Sequence, residues 1–306
     1  MTDRRIIVGA GPVGRHVAEV LAARGSEVTV VTRSGSSTGV GGVDHERADA
    51  SDPDQLSAIV DGASALYNCA SPASYTTWPH LWPPLAASHL ATAERTGAVL
   101  ATTGNLYPYG PVTMPMVEEM PDAATDTKGK IRSTMWADAK AAHEAGRIRA
   151  VEVRSSDYVG AGVGASGHVS RLIPKAREGK HVQVIGSAHQ PHSWTDVRDV
   201  ARTLVAAAED SSAHGRIWHV PTNPPRTQSE AINDVLAAGG FAPVEVTAVP
   251  RFVLRTLGLV MPMMREIGQM SYQFEAPYIL DSSAATAHFG ITSTPWDEVC
   301  ARTLEK

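Results

Sequence analysis

Cysteine is nearly absent: Cys69 and Cys300 are the only two in 306 residues. Thiols so far apart give neither a disulfide framework nor the paired spacing of a zinc site, and a reduced, cytoplasmic setting is the default expectation. Long apolar runs are also missing. None approaches the ~18 residues that a membrane span requires, so no membrane association is expected. Charge of one sign is lacking as well. Against 32 Asp and Glu stand 27 Lys and Arg, for a net charge of −5. No basic cluster appears, which removes the usual footprint of nucleic-acid binding. Met1-Thr2-Asp3-Arg4-Arg5 runs straight into β-branched residues, unlike a secretory leader. The two histidines of His189-Gln190-Pro191-His192 have no Cys or carboxylate beside them in a ligand motif, so no metal is expected. A Gly-x-Ser-x-Gly elbow is absent, which leaves a hydrolase without support.

What is present is organised around Ile6-Ile7-Val8-Gly9-Ala10-Gly11-Pro12-Val13-Gly14. A short β-branched run stops at a glycine turn, and a helical pattern follows with Val13, Val17, Val20 and Leu21 on one face. Strand, Gly-x-Gly-x-x-Gly and helix in that order form the context of a dinucleotide fingerprint. Gly9 allows the tight turn, Gly11 lets the backbone approach a pyrophosphate, and Gly14 lets the helix pack close to the strand. Pro12 and Val13 open the helix, whose N-terminal amides and dipole favour phosphate.

The second strand, Val28–Val31, leads into Thr32-Arg33-Ser34. A site selective for NAD usually holds an acid here, on the ribose hydroxyls. A guanidinium and a hydroxyl suit a 2′-phosphate instead, so Arg33 and Ser34 predict NADP(H). Strands and helices then alternate: Ala48-Asp49-Ala50 ends a third strand, Ser51 or Asp52 caps a helix, Ala65–Ala70 is a fourth strand with its exit loop, residues 81–96 are helical, and Val99–Thr102 is a fifth strand. This spacing predicts an α/β fold with a doubly wound parallel Rossmann sheet. The expected division places residues 1–160 and 187–221 in the dinucleotide-binding domain. Residues 161–186 and 222–306 form a smaller α/β substrate lobe, in which Thr227–Glu230 is a capping box.

Several segments together resemble the extended short-chain dehydrogenase/reductases of the nucleotide-sugar epimerase and dehydratase superfamily, along nearly the whole length. Asp49, followed by Ala50, stands where that family contacts adenine. Asn68-Cys69-Ala70 resembles its Asn-Ala-Ala-like cofactor loop. Thr102-Thr103-Gly104-Asn105-Leu106-Tyr107 resembles Ser-Ser-x-x-x-Tyr, which puts Thr103 at the catalytic serine position. Arg154-Ser155-Ser156-Asp157-Tyr158-Val159-Gly160 resembles the turn beside the nicotinamide, and Trp194–Val200 the Val-x-Asp-Val segment. The resemblance implies cofactor contacts from Ser155 and from a lysine of a helical Tyr-x-x-x-Lys pair. Trp136-Ala137-Asp138-Ala139-Lys140 is the segment matched to that pair, with Glu144 beyond. Lys140 then takes the lysine's place at the ribose, and Trp136 stands where the proton-donating tyrosine would be. An indole N–H donates a hydrogen bond but is no usable acid.

Trp78, Trp82, Tyr107, Trp136 and Tyr158, with Met264 of the methionine-rich stretch 260–270, are the expected walls of an apolar substrate cavity. The function expected is therefore an NADPH-dependent reduction of a carbonyl in an aromatic, polyketide-like substrate, as in secondary-metabolite ketoreductases of antibiotic biosynthesis. Thr103 and Lys140 would position the reactants, and the proton would come from water or substrate. The competing reading is a catalytically silent NADP(H)-binding regulator. Family members often dimerise through two helices, matched here to residues 81–96 and 134–146, so a homodimer is the assembly that the resemblance implies.

Overall fold

A computed structural model describes residues 3–250, 256, 259 and 261–305. At its centre is a parallel seven-stranded sheet. Its strands are β1 (Arg4–Val8), β2 (Glu27–Thr32), β3 (Val43–Arg47), β4 (Ala65–Asn68), β5 (Val99–Asn105), β6 (Ala150–Ser155) and β10 (Ile217–His219), in the order β10-β6-β5-β4-β1-β2-β3. The central strands are buried on both faces, so they read as continuous apolar runs rather than alternating ones; Ile6 and Ile7 are both fully buried.

Helices α1 (Pro12–Ala23) and α6 (Val197–Glu209) cover one face and join a single apolar cluster with β1, β2 and β4–β6. Helices α2 (Pro53–Val60), α3 (Trp78–Thr96) and α4 (Thr127–Glu144) cover the other. Short polar side chains start most of these helices. Asp52 accepts from the amides of Asp54 and Gln55, and Asp126 from those of Lys128 and Gly129. Each cap satisfies amides that have no intrahelical partner. A smaller cluster lies beside the sheet, around the β8–β11 pair (Val182–Val184 with Val246–Ala248), α5 (Ile173–Ala176), α7 (Gln228–Ala238) and α10 (Trp296–Thr303). The Thr227 capping box starts α7 as expected. Helices α8 (Pro262–Gln269) and α9 (Ser283–Phe289) complete the elements used below. Among the described residues, no helix is long and apolar enough to cross a membrane.

The strand order fixes where a ligand can sit. From β1 the chain goes to β2 and β3 on one side, then crosses to β4 on the other. The carboxyl ends of β1 and β4 therefore diverge and leave a crevice, which is where open α/β sheets bind ligands.

Candidate active site

A cleft of about 950 Å³ opens over the carboxyl ends of β1, β2, β4 and β5. At one end lies the glycine turn. Gly9 has φ +106°, a conformation open to glycine, and a Cβ there would meet Ala70 N and Cys69 C at 2.9 Å. A Cβ on Gly14 would stand 1.9 Å from Gly9 O, so this residue is what lets α1 touch the turn. Gly11 differs: nothing lies within 4 Å of its Cβ position. Packing does not require glycine there; what a side chain would fill is open space over the start of α1. That helix begins at Gly11 without a side-chain cap, so its first amides face the cleft unspent. Gly9, Gly11, Pro12, Val13, Cys69 and Ala70 all line the cleft, together with Arg33, Asp49 and Ala50 at its outer edge. Ser51 hydrogen bonds to Asp49, and Arg33 nearby, hold that carboxyl below its ordinary range.

Three of the residues expected at the cofactor lie outside this lining: Gly14, which packs against the turn, Asn68 and Ser34. Asn68 is buried and secures the turn, accepting from Ala70 N at 3.3 Å. The Ser34 hydroxyl pairs with that of Ser36 at 2.6 Å, outside the cleft lining.

The far end is aromatic. Trp78 stacks on Tyr107 with centroids 6.0 Å apart and meets Tyr75 and Trp82 edge-on at 5.1 and 5.7 Å. The Tyr75 and Tyr107 hydroxyls share a 2.7 Å hydrogen bond. Burial pushes both phenols up, Tyr107 well above its ordinary value. Tyr158, also on the wall, is raised by burial while a hydrogen bond to Ser155 and the Arg132 charge oppose the shift. Met263 reaches the lining; Met264, the residue expected there, does not. Beyond them, Met270 and Phe274 are core, 5% and 3% exposed, while Met261 is exposed.

Thr103 and Ser155 stand between the two ends. The Thr103 hydroxyl donates to Asn68 O at 2.9 Å. Its proton is thus committed to the backbone, and the oxygen is left as an acceptor.

The helical pair falls in a different place from the one expected. Trp136 does not line the cleft. It packs with Leu100, Ala139 and Ala150 in the core beneath α3 and α4, beside a small separate cavity. Lys140 is half exposed and faces Glu144 at 3.7 Å. The cause is the direction of α4. A helix between two parallel strands starts at their carboxyl edge and runs back towards their amino edge. Each residue moves it about 1.5 Å down, so Lys140 lies about 12 Å below Arg132 along the axis. The inward positions nearest the cleft are Lys128 and Arg132, one turn apart and 1% and 4% exposed. Lys128 is bound by Glu266 Oε2 at 2.6 Å and Gln269 Oε1 at 3.0 Å, which ties α8 to α4. Arg132 donates to Thr103 O, and its guanidinium lies 4.7 Å from the Trp82 ring centre. The same i, i+4 basic pair was visible in the sequence, eight residues before Trp136 and Lys140; the cap at Asp126 was the signal that would have placed it.

A polar cluster on the wall was also missed. Asp157 accepts from His192 Nε2 at 2.7 Å, with His168 Nε2 at 3.6 Å. Burial works to raise its carboxyl, but His168, His192 and Arg171 outweigh it and hold the group low. His192 thus belongs to this buried cluster, while His189 is exposed.

A glycine turn at a switch point, with an open crevice beyond it, defines a dinucleotide-type Rossmann enzyme fold. The sequence profile of the NAD dependent epimerase/dehydratase family matches residues 6–220, and the chain belongs to that family. Solved structures of the same fold include dTDP-glucose 4,6-dehydratase from Bacillus anthracis in complex with NAD (TM-score 0.79, 13% identity, 98% of this chain and 94% of that one). UDP-glucose 4-epimerase from Thermotoga maritima with UDP-glucose is similar to the same degree (TM-score 0.79, 15% identity, 98% and 97% covered). A double mutant of the dTDP-glucose 4,6-dehydratase DesIV from Streptomyces venezuelae with NAD bound also shares the fold (TM-score 0.77, 15% identity, 98% and 95% covered). A search of the curated proteins finds no significant match.

Proposed function

We propose that the protein is an NADPH-dependent reductase acting on a carbonyl of a largely apolar, aromatic substrate. The observation that carries this reading is the arrangement of one continuous cleft: uncapped helix amides and an open glycine at one end, an aromatic wall at the other, and Thr103, Ser155 and Tyr158 between. The residues fit the cofactor. Gly9, Gly11 and the start of α1 would hold its pyrophosphate, Asp49 and Ala50 its adenine, and Arg33 its 2′-phosphate. When bound, reduced nicotinamide supplies hydride to the substrate carbonyl.

The chain's own residues then have defined tasks. Ser155 and Tyr158 border the reaction centre. Trp78 and Tyr107 present flat apolar faces and exclude water. No tyrosine faces the cleft from α4, and Trp136 is too deep to serve. All three cleft phenols, Tyr75, Tyr107 and Tyr158, are pushed up by burial rather than activated. The proton therefore comes from solvent or from an acidic group of the substrate. Tyr107→Phe and Tyr158→Phe are each expected to keep turnover within ~10-fold. A loss of ~100-fold, the scale of a missing general acid, with cofactor affinity unchanged, reassigns the donor to that phenol.

Arg33→Ala should weaken NADPH binding by ~1–3 kcal/mol, the range of a charge-assisted contact, and leave NADH nearly untouched. An equal loss for both removes the 2′-phosphate role. The activity itself is tested by NADPH oxidation, followed at 340 nm, with a panel of aromatic ketones and quinones. A second reading, a silent NADP(H)-binding regulator, draws on the absence of a tyrosine facing the cleft from α4 and on the committed Thr103 hydroxyl. Tight NADPH binding without turnover across the panel favours it.

A further inference from the structure

Arg132 is a buried cation in an unusual position. Arg132 lines the cleft, and its guanidinium lies against Trp82. Of its five N–H groups, one terminal nitrogen donates to Thr103 O, the other makes a 3.8 Å contact with Met135 Sδ, and Nε has no partner. Among the described residues no carboxylate makes an ion pair with it. Glu152 acts on it only through space, because Glu152 Oε1 is taken by Arg154 Nε at 2.7 Å. Arg154 in turn has the bidentate Asp122, at 2.7 and 3.1 Å. Lys128, one turn away, has Glu266. Among these three buried cations, Arg132 is the one without an anion in contact.

A guanidinium stays charged under any ordinary condition, and burying it without a partner is unfavourable. A cleft that keeps one beside an aromatic wall is complete when a ligand supplies the anion. Placement separates that ligand from the phosphates of the cofactor. Arg132 of α4 bonds to Thr103 of β5, whereas the glycine turn follows β1; those strands are two apart, which is about 10 Å at the usual strand spacing. We infer that Arg132 recognises an aromatic carboxylate, whose ring lies among Trp78, Trp82 and Tyr107 and whose oxygens accept from the free guanidinium N–H groups. The inference deepens the functional reading above and rests on its placing of the substrate at the aromatic end.

The test uses the whole chain without cofactor, titrated with 2-naphthoate and with neutral 2-naphthamide and followed by tryptophan fluorescence. The expected result is that naphthoate binds at least ~10-fold tighter, the worth of one charge-assisted hydrogen bond. Arg132→Gln should abolish that preference, and Arg132→Lys should restore part of it, because the charge returns without the planar fork. NADPH affinity should change less than ~2-fold in Arg132→Lys, well short of a lost charge-assisted contact. Equal binding of acid and amide by the wild type overturns the inference. So does an Arg132→Lys variant that melts like the wild type yet loses NADPH instead of naphthoate, which would give the guanidinium to the cofactor. If naphthoate is preferred but NADPH does not bind at all, the anion site stands and the reductase reading falls.

Discussion

Gly14→Ala is expected to cost the protein its dinucleotide site and part of its stability together. The added Cβ would stand 1.9 Å from Gly9 O, a backbone atom that cannot swing aside. Helix α1 has to move off the turn, so the amides at its start lose their aim. Overpacking of this kind costs about 1–3 kcal/mol. NADPH affinity should fall by ~100-fold or more, since several amide contacts of about 1 kcal/mol each are lost together. Gly11→Ala is the informative partner. Nothing lies within 4 Å of that Cβ, and φ is −70°, so the fold should be unaffected. Its NADPH affinity should still drop by roughly tenfold, because the methyl occupies the space where the backbone approaches phosphate. A Gly11→Ala protein that binds NADPH like the wild type would show that the open space serves no ligand.

The second large effect is loss of stability in mild acid. His89 and His219 are buried and held down to about 4. Burial is the main cause for both. His219 sits as a neutral ring between the Tyr109 hydroxyl at 2.7 Å and Asp281 O at 2.8 Å. His89 bonds Leu85 O at 2.7 Å. An unfolded histidine takes its proton near pH 6.5 and a folded one here only near 4, so the unfolded state binds more protons in between. Stability is therefore full above pH 6.5 and falls as the pH drops towards 4. Each ring contributes a slope of about 1.4 kcal/mol per pH unit, and the two together remove roughly 5–7 kcal/mol. That is comparable with the whole stability of many domains. Asp157, whose carboxyl is held low, adds loss of the same sign at still lower pH. Urea unfolding at pH 7.5, 6, 5 and 4.5 measures the slope, and His219→Gln should make it shallower by one proton. Stability that stays flat between pH 6.5 and 4.5 contradicts the account.

The sheet was legible because its strands are apolar runs separated by glycine turns and capped helices. The run Ile6–Val8 before Gly9 and the caps at Asp52 and Thr227 each report their own backbone. The glycine end of the cleft was legible for the same reason, since turn, close approach and helix start are local facts. The opposite end was not. Whether Trp136 or Arg132 reaches the cleft depends on how far α4 has descended, and both fit the same helical stripe. An i, i+4 pattern shifted by two turns looks identical in the sequence, and only the position of Thr127 at the head of the helix separates the two. Met264 and Met263 differ by a single helical step in the same way. The Asp157–His192 contact joins β7 (Asp157–Val159) to a loop before β9 (Trp194–Asp196), a tertiary pairing with no spacing signature.

The central claim is that the cleft holds a nicotinamide dinucleotide and discriminates by the 2′-phosphate. Titration of the protein with NADPH and with NADH, followed by nicotinamide fluorescence, tests it most directly. Saturable binding of both, with NADPH tighter by ~10-fold or more, as one phosphate contact to Arg33 provides, is the predicted result; no binding of either, or NADH bound as tightly as NADPH, contradicts it.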